Sequence, residues 1–213
     1  MIHLISAIVP GNDLPSVISE VDDNLISTMK FMECMNRNGV KKVLYFSSGG
    51  TVYGNNGNEI NREDHTLVPI NSYGWMKVVV EKYIQYYSYQ NNFQYIVLRP
   101  SNPYGRYQNI YGKQGLVAVA IGKIMKSEPV EVWGDGSVVR DYIYIDDLCD
   151  AVYRLISNDR WNEIYNIGSG NDYSINQILE VIRDVSGVKF TIEYKDKRSV
   201  DIKKNLLCID KLI

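Results

Sequence analysis

Histidine and cysteine are scarce in this chain, two of one and three of the other among 213 residues. His3 and His65 stand far apart with no third ligand near either, so no imidazole-based metal centre is expected. Cys34, Cys149 and Cys208 are odd in number and lack Cys-x-x-Cys spacing. That argues against a disulfide framework or a zinc site and for buried thiols. No apolar run reaches the roughly 18 residues that a membrane-spanning helix needs, and the first residues lack the basic-then-apolar order of a signal peptide. A cytoplasmic protein with no membrane partner is the expectation. Charge of one sign is also missing: 23 Lys and Arg face 25 Asp and Glu, for a net charge of -2. With no Lys/Arg stripe, a nucleic acid is not an expected partner.

What is present suits a packed core, since 45% of the residues are hydrophobic. Apolar runs alternate with helical patterns from the start, which favours a parallel sheet covered by helices. Residues 1–6 read as a buried strand. A helix is expected from Pro15 to just before Gly39, carrying Val17, Ile18, Val21, Leu25, Met29, Met32 and Met35 at three-and-four spacing. Residues 43–47 read as the next strand, Ser72 as the N-cap of a helix running to Tyr89, and residues 94–98 as a further strand. Beyond Gly105 the pattern predicts a helix over 116–125, strands over 130–133 and 141–144, and a helix capped by Asp146. A strand over 164–167, a helix capped by Ser174 and a strand over 189–194 follow. Tyr86, Tyr87 and Tyr89 read as helix packing and interface rather than as a stacking site.

Tyr73 and Lys77 lie four apart, so they share one face of the first turns of their helix. A phenol titrates at roughly 10, and a neighbouring ammonium favours its phenolate, which would suit it to take a hydroxyl proton. The pair alone is weak, because a chain with 17 tyrosines produces such spacing easily by chance.

Five segments add context. They are Ser47-Ser48-Gly49-Gly50-Thr51-Val52-Tyr53-Gly54, Asn71-Ser72-Tyr73-Gly74-Trp75-Met76-Lys77, Leu98-Arg99-Pro100-Ser101-Asn102-Pro103-Tyr104-Gly105, the run from Val139 through Arg140 and Asp141 to Leu148, and Tyr165-Asn166-Ile167-Gly168-Ser169-Gly170. In this order they resemble successive landmarks of the NAD-dependent epimerase/dehydratases, most nearly the UDP-glucose 4-epimerases. The resemblance implies an α/β partial Rossmann fold, a doubly wound parallel sheet lacking its first strands, with a small C-terminal α/β substrate lobe. Residues 1–113 would form the dinucleotide-binding part and residues 114–213 mainly the lobe, with some segments returning to the main domain.

It also implies transient oxidation of a UDP-hexose or other nucleotide-sugar by NAD, with Tyr73 as base and Lys77 lowering its pKa and holding the nicotinamide ribose. Leu4, Ser6, Asn24, Ser47, Ser48, Pro100 and Ser101 would lie along the cofactor. Asn102, Arg140, Arg198 and Asp201 would handle the nucleotide-sugar, the two arginines facing its pyrophosphate. A homodimer built on the helices at 15–38 and 72–91 is implied as well.

The chain departs from the pattern in two places. Gly49 stands where the family carries a Ser or Thr that bonds the reacting oxygen. Thr51 is the candidate replacement, with Ser47 or Ser48 as alternatives. Gly50-Thr51 replaces the Asp-Glu pair of related dehydratases, which favours epimerisation over water elimination. The Gly-x-Gly-x-x-Gly turn that receives a dinucleotide pyrophosphate is also absent. The alternative reading is therefore a catalytically silent nucleotide-sugar-binding fragment that needs a partner chain for NAD. In that case an exposed sheet edge and uncovered apolar faces are expected.

Overall fold

The computed structural model describes residues 1–6, 17–57, 59–197 and 202–213. In chain order, β1 (Ile2–His3) precedes α1 (Val17–Glu20), a wider-turned helical segment Val21–Ile26 and α2 (Ser27–Arg37). Next come β2 (Lys42–Phe46), α3 (Ser72–Asn91), β3 (Gln94–Pro100), β4 (Asn102–Tyr104) and α4 (Leu116–Met125). The remainder is β5 (Val130–Trp133), β6 (Val139–Tyr144), α5 (Ile145–Ser157), β7 (Glu163–Ile167), β8 (Asp172–Ser174), α6 (Ile175–Ser186), β9 (Ile192–Lys195) and β10 (Lys204–Asn205).

The main sheet runs β1-β2-β3-β7 with every pair parallel. Its central strands are apolar on both faces, as a doubly covered parallel sheet requires. On one face, Val43, Tyr45 and Val97 pack against Met32 and Met35 of α2 and Val80, Ile84 and Tyr87 of α3. On the other, Leu44, Ile96 and Leu98 meet Leu148 and Leu155 of α5 together with Tyr165 and Ile167 of β7. The second core lies in the lobe, where the parallel pair β5-β9 packs on α4 and α6 through Ala120, Val130, Val132 and Leu179. Between the two, β6 acts as a seam. It pairs with β4 and β10 in parallel and with β8 in antiparallel.

Several sequence expectations shift. The strand over 1–6 contracts to Ile2–His3, and Met1, Ile2, Leu4 and Ile5 are 46–81% exposed. Among the described residues β1 pairs on one side only, with β2. Pro15 lies outside the described residues, and the helix after it is not uniform, because Val21–Ile26 widens to π-type turns. The cap of α3 is Asn71, not Ser72: its side chain accepts from the Gly74 N–H at 2.8 Å while its backbone is extended. α5 has no side-chain cap. Tyr144 occupies that position, and Asp146 and Asp147 sit in the first turn, where their charge suits the helix dipole. Ser174 does cap α6, in a reciprocal box with Gln177.

The strand expected over 189–194 is β9 and begins at Ile192, and β10 follows it unforeseen. The cysteines are not buried: Cys34 and Cys149 are exposed and Cys208 is half-buried. Of the three helical tyrosines only Tyr87 packs inward, while Tyr86 and Tyr89 face outward. No described helix is long and apolar enough to cross a membrane.

Candidate active site

A parallel α/β sheet presents its binding crevice at the carboxyl ends of its strands. There the end of β2 leads into Ser47 and Ser48, the end of β3 into Ser101, β4 opens with Asn102, and the first turns of α3 deliver Tyr73 and Lys77. Lys77 is buried, and its ammonium donates to the Phe46 carbonyl at 2.9 Å and lies over the rings of Tyr45 and Tyr73, 5.0 and 5.5 Å from their centroids. Burial lowers its pKa to about 8 even though the Glu81 carboxylate works the other way. Tyr73 behaves differently from the sequence expectation. Burial raises its pKa above 10.0, and the opposing influence is a hydrogen bond from the Ser48 side chain rather than Lys77.

That bond favours Ser48 among the candidate hydroxyls. The chain leaves β2 and turns at once, with the Thr51 and Val52 N–H groups donating to the Ser48 carbonyl at 3.2 and 3.1 Å. Thr51 is thereby rotated away from an extended path, and its hydroxyl is buried with no partner. Ser47 points behind the site and bonds Glu81. Ser48 alone of the three hydroxyls reaches Tyr73. Gly49 is required by crowding: a Cβ there would come within 2.6 Å of Leu207 Cδ1 and 2.7 Å of the Arg99 carbonyl.

Behind the site, Arg99 and Glu81 form a buried ion pair, with Nη2 to Oε2 at 2.7 Å and Nε to Oε1 at 3.2 Å. Burial opposes the Arg99 charge, and the bonds to Glu81 more than offset it, so its pKa rises. Arg99 also donates to the Tyr53 hydroxyl at 2.9 Å, which donates to Asn166 Oδ1 at 2.6 Å. One network therefore joins β2, α3, β3, β7 and the loop after β2. The sequence reading missed it, although Glu81 lies four residues after Lys77 on the same helix face.

Near β1, the Ser6 hydroxyl donates to Asn24 Oδ1 at 3.3 Å, and Asn24 Nδ2 returns to the Glu20 carbonyl at 2.9 Å. The Glu20 carboxylate accepts from Ser72 at 3.1 Å. The widened turn that carries Asn24 is thus tied to the start of α3. Leu4 is 62% exposed beside this region. Pro100 accepts from the Gly49 N–H at 2.8 Å, and the Ser101 hydroxyl is buried without a partner.

Toward the lobe, a cavity of about 280 Å³ is lined by Asn102, Tyr104, Trp133, Arg140 and Tyr142 together with the N-terminus of α4. Asn102 Nδ2 donates to the Asp141 carbonyl at 2.8 Å. Arg140 Nη1 donates to the carbonyls of Val139 and Ile202 at 2.8 and 2.7 Å. Asp141 is fully buried and accepts from the N–H groups of Ser169 and Gly170 at 2.9 and 3.3 Å, which fixes the loop after β7. Arg198 and Asp201 lie outside the described residues. His3 is buried against Phe31 and Tyr45 with its ring bonded to Thr28. Among the described residues no group of three His, Cys, Asp or Glu could hold a metal ion.

A sequence model of the NAD dependent epimerase/dehydratase family matches residues 2–168. The chain belongs to this family. It is 34% identical to an Escherichia coli dTDP-4-dehydro-6-deoxyglucose reductase over 92% of this chain and 62% of that protein. It is 31% identical to a putative UDP-glucose 4-epimerase of Methanocaldococcus jannaschii over 99% of this chain and 68% of that one. Among solved structures, the UDP-glucose 4-epimerase of Thermotoga maritima with UDP-glucose superposes with a TM-score of 0.92 at 31% identity, over 99% of this chain and 68% of that one. The chain thus spans about two thirds of the length of these relatives. The Rossmann-like fold is shared with them.

Two outcomes follow from the site's electrostatics. Glu81→Ala leaves the Arg99 charge buried without its partner and is expected to cost roughly 3–5 kcal/mol in urea unfolding; a loss below about 1 kcal/mol would mean that the pair is not sealed from water. Lys77 gives a pH dependence of defined sign. Below about pH 8 folded and unfolded chains both carry its proton, and burying that charge costs stability. Between about 8 and 10.5 the folded chain releases the proton first, so stability rises with pH through that window. Lys77→Met is therefore expected to be more stable than the parent at pH 7, with the difference shrinking as pH climbs. A pH-independent difference would assign the effect to packing instead.

Proposed function

We propose that this chain carries the catalytic centre of an NAD-dependent nucleotide-sugar epimerase, with a UDP-hexose as substrate. The observation that carries this reading is the Ser48–Tyr73–Lys77 arrangement at the strand ends, and a separate cavity toward the lobe lined by Asn102 and Arg140 supports it. The residues fit the cofactor on a further count. The hydroxyls of Thr51 and Ser101 are buried beside the strand ends without partners, and buried polar groups in native proteins are ordinarily satisfied. Lys77, Ser48, Ser6, Asn24, Leu4, Pro100 and Ser101 would line NAD, which when bound supplies a two-electron acceptor and donor, while Ser47, turned toward Glu81, would stand behind them.

Tyr73 takes the proton of the sugar hydroxyl while the carbon bearing it loses hydride, leaving a ketone. Ser48 holds the phenol and the reacting oxygen together. Lys77 supplies positive charge near the developing phenolate. Return of the hydride to the other face of the ketone and of the proton from Tyr73 gives the epimer, with no net oxidation. Asn102 and Arg140 anchor the nucleotide end, in which role Arg198 and Asp201 are also proposed. Residues 1–113 form the cofactor side of this arrangement and residues 114–213 mainly the substrate side.

The Escherichia coli relative supports a second reading in the same family, net reduction of a keto sugar by the same Tyr/Lys pair. Parallel assays, one with UDP-galactose or UDP-glucose and one with a 4-keto nucleotide-sugar plus NADH, followed by product analysis and NADH absorbance, separate the two: an epimerase interconverts the hexoses at constant NADH, whereas a reductase leaves the hexoses alone and consumes NADH mole for mole with the keto sugar. Tyr73→Phe is expected to lower turnover about a hundred- to ten-thousand-fold. Full turnover in that variant would sink the assignment of the base. Calorimetric binding of UDP without binding of NAD would favour the silent-fragment reading and a partner chain.

A homodimer in the cytoplasm completes the proposal. Trp75, Val79 and Tyr86 of α3 are 39–59% exposed and lie at helical spacing on one side, as a helix-pairing interface would require. Light scattering is expected to give twice the chain mass. A monomer at micromolar concentration would refute the dimer without touching the chemistry.

A further inference from the structure

Asn205, on the two-residue strand β10, takes no part in the family landmarks, yet it is 97% buried and makes contacts on three sides. Its Nδ2 donates to the carbonyls of Gly49 and Gly50 at 3.1 and 3.0 Å. Its Oδ1 accepts from Asn61 Nδ2 at 3.3 Å. Its backbone is in register with Arg140 on β6. These two carbonyls belong to the residues directly after Ser48, at the turn that decides where the Ser48 hydroxyl points.

The turn is held from the opposite side as well. Gly49 N–H donates to the Pro100 carbonyl at 2.8 Å, and Leu207 packs into the space that a Gly49 side chain would need. Leu207 belongs to a small apolar cluster with Val52, Tyr53 and Val78, the last being one residue beyond Lys77. The Gly49-Gly50 turn is thus clamped between β3 and the segment from residue 202 to residue 207. That same segment accepts the Arg140 guanidinium through the Ile202 carbonyl at 2.7 Å.

We propose that Asn205 is a positioning residue for the active site: by holding the Gly49 and Gly50 carbonyls it sets the Ser48 hydroxyl against Tyr73 and links that contact to the strand that carries Arg140. A carboxamide is suited to this, because only its NH₂ group can donate to two carbonyls while its oxygen accepts from a third group. The inference rests on the reading of Ser48 and Tyr73 as the reacting pair. Its test needs neither NAD nor turnover, so it fails separately from that reading.

The test reads the Tyr73 phenol in the free chain. Replacing Tyr73 with 3-fluorotyrosine and following its fluorine resonance isolates one phenol among 17 tyrosines. Lys77 and Tyr45 also face this phenol and stay unchanged in every variant used. Loss of the Ser48 bond removes the group that favours the phenolate, so Ser48→Ala is expected to raise the titration midpoint by about half a pH unit. Asn205→Ala is expected to raise it by a similar amount, and the double variant no further than either single one. Circular dichroism checks that Asn205→Ala remains folded. Should it unfold, Asn61→Ala removes the group that steadies the carboxamide, together with an acceptor of Asn56, leaves Asn205 itself in place and is expected to give a smaller shift of the same sign. A midpoint unmoved by the Asn205 or Asn61 variant while Ser48→Ala moves it, or additive shifts in the double variant, would overturn the proposal.

Discussion

The buried contact between Arg99 and Glu81 is the constraint on which the site depends. Two full charges leave water there, and such a pair persists only when both members have every hydrogen-bonding group engaged. Glu81 therefore accepts from Arg99 and from Ser47, and Arg99 extends to Tyr53 and the Glu63 carbonyl. Each demand recruits a different element, so that β2, β3, α3 and the loop from 48 to 63 are locked in one relative position. Lys77 and Tyr73 lie one and two turns before Glu81 on the same helix. Their placement over the strand ends follows from where the ion pair pins α3.

The same burial explains why Tyr73 is not a ready base in the free chain. Taking a phenol and an ammonium out of water disfavours the charged form of each, so one pKa goes up and the other comes down. The two groups move apart in proton affinity, the phenol above 10.0 and the ammonium down to about 8. Ser48 is what works against the rise at Tyr73. The chemistry of the site is thus set by a short turn of two glycines as much as by the two residues that carry protons.

Much of this was legible in the sequence where local rules decide. The bounds of α4 and β5 and the cap at Ser174 follow from turn residues and caps, and the Tyr73/Lys77 pair follows from helical spacing. What could not be read depends on distant partners. β4, β8 and β10 are two or three residues long and exist because β6 runs between them. The choice among Thr51, Ser47 and Ser48 turned on how the backbone bends at the two glycines, and that bend is shaped by Leu207 and Asn205, far along the chain. The cysteines were placed inside on residue type, but Cys34 and Cys149 fall on the outward faces of α2 and α5.

Asn205 and Gly49 are separated by 156 positions, and that distance bears on the order in which the protein is assembled. Contacts so remote in sequence form late, since a long stretch of chain must be confined before they yield anything in return. During synthesis the sheet β1-β2-β3 and its covering helices can associate while residue 205 is still unmade. The arrangement around Tyr73 is then completed only once residues 202–207 have been made, so a nascent chain possesses its reacting groups well before it holds them in working order.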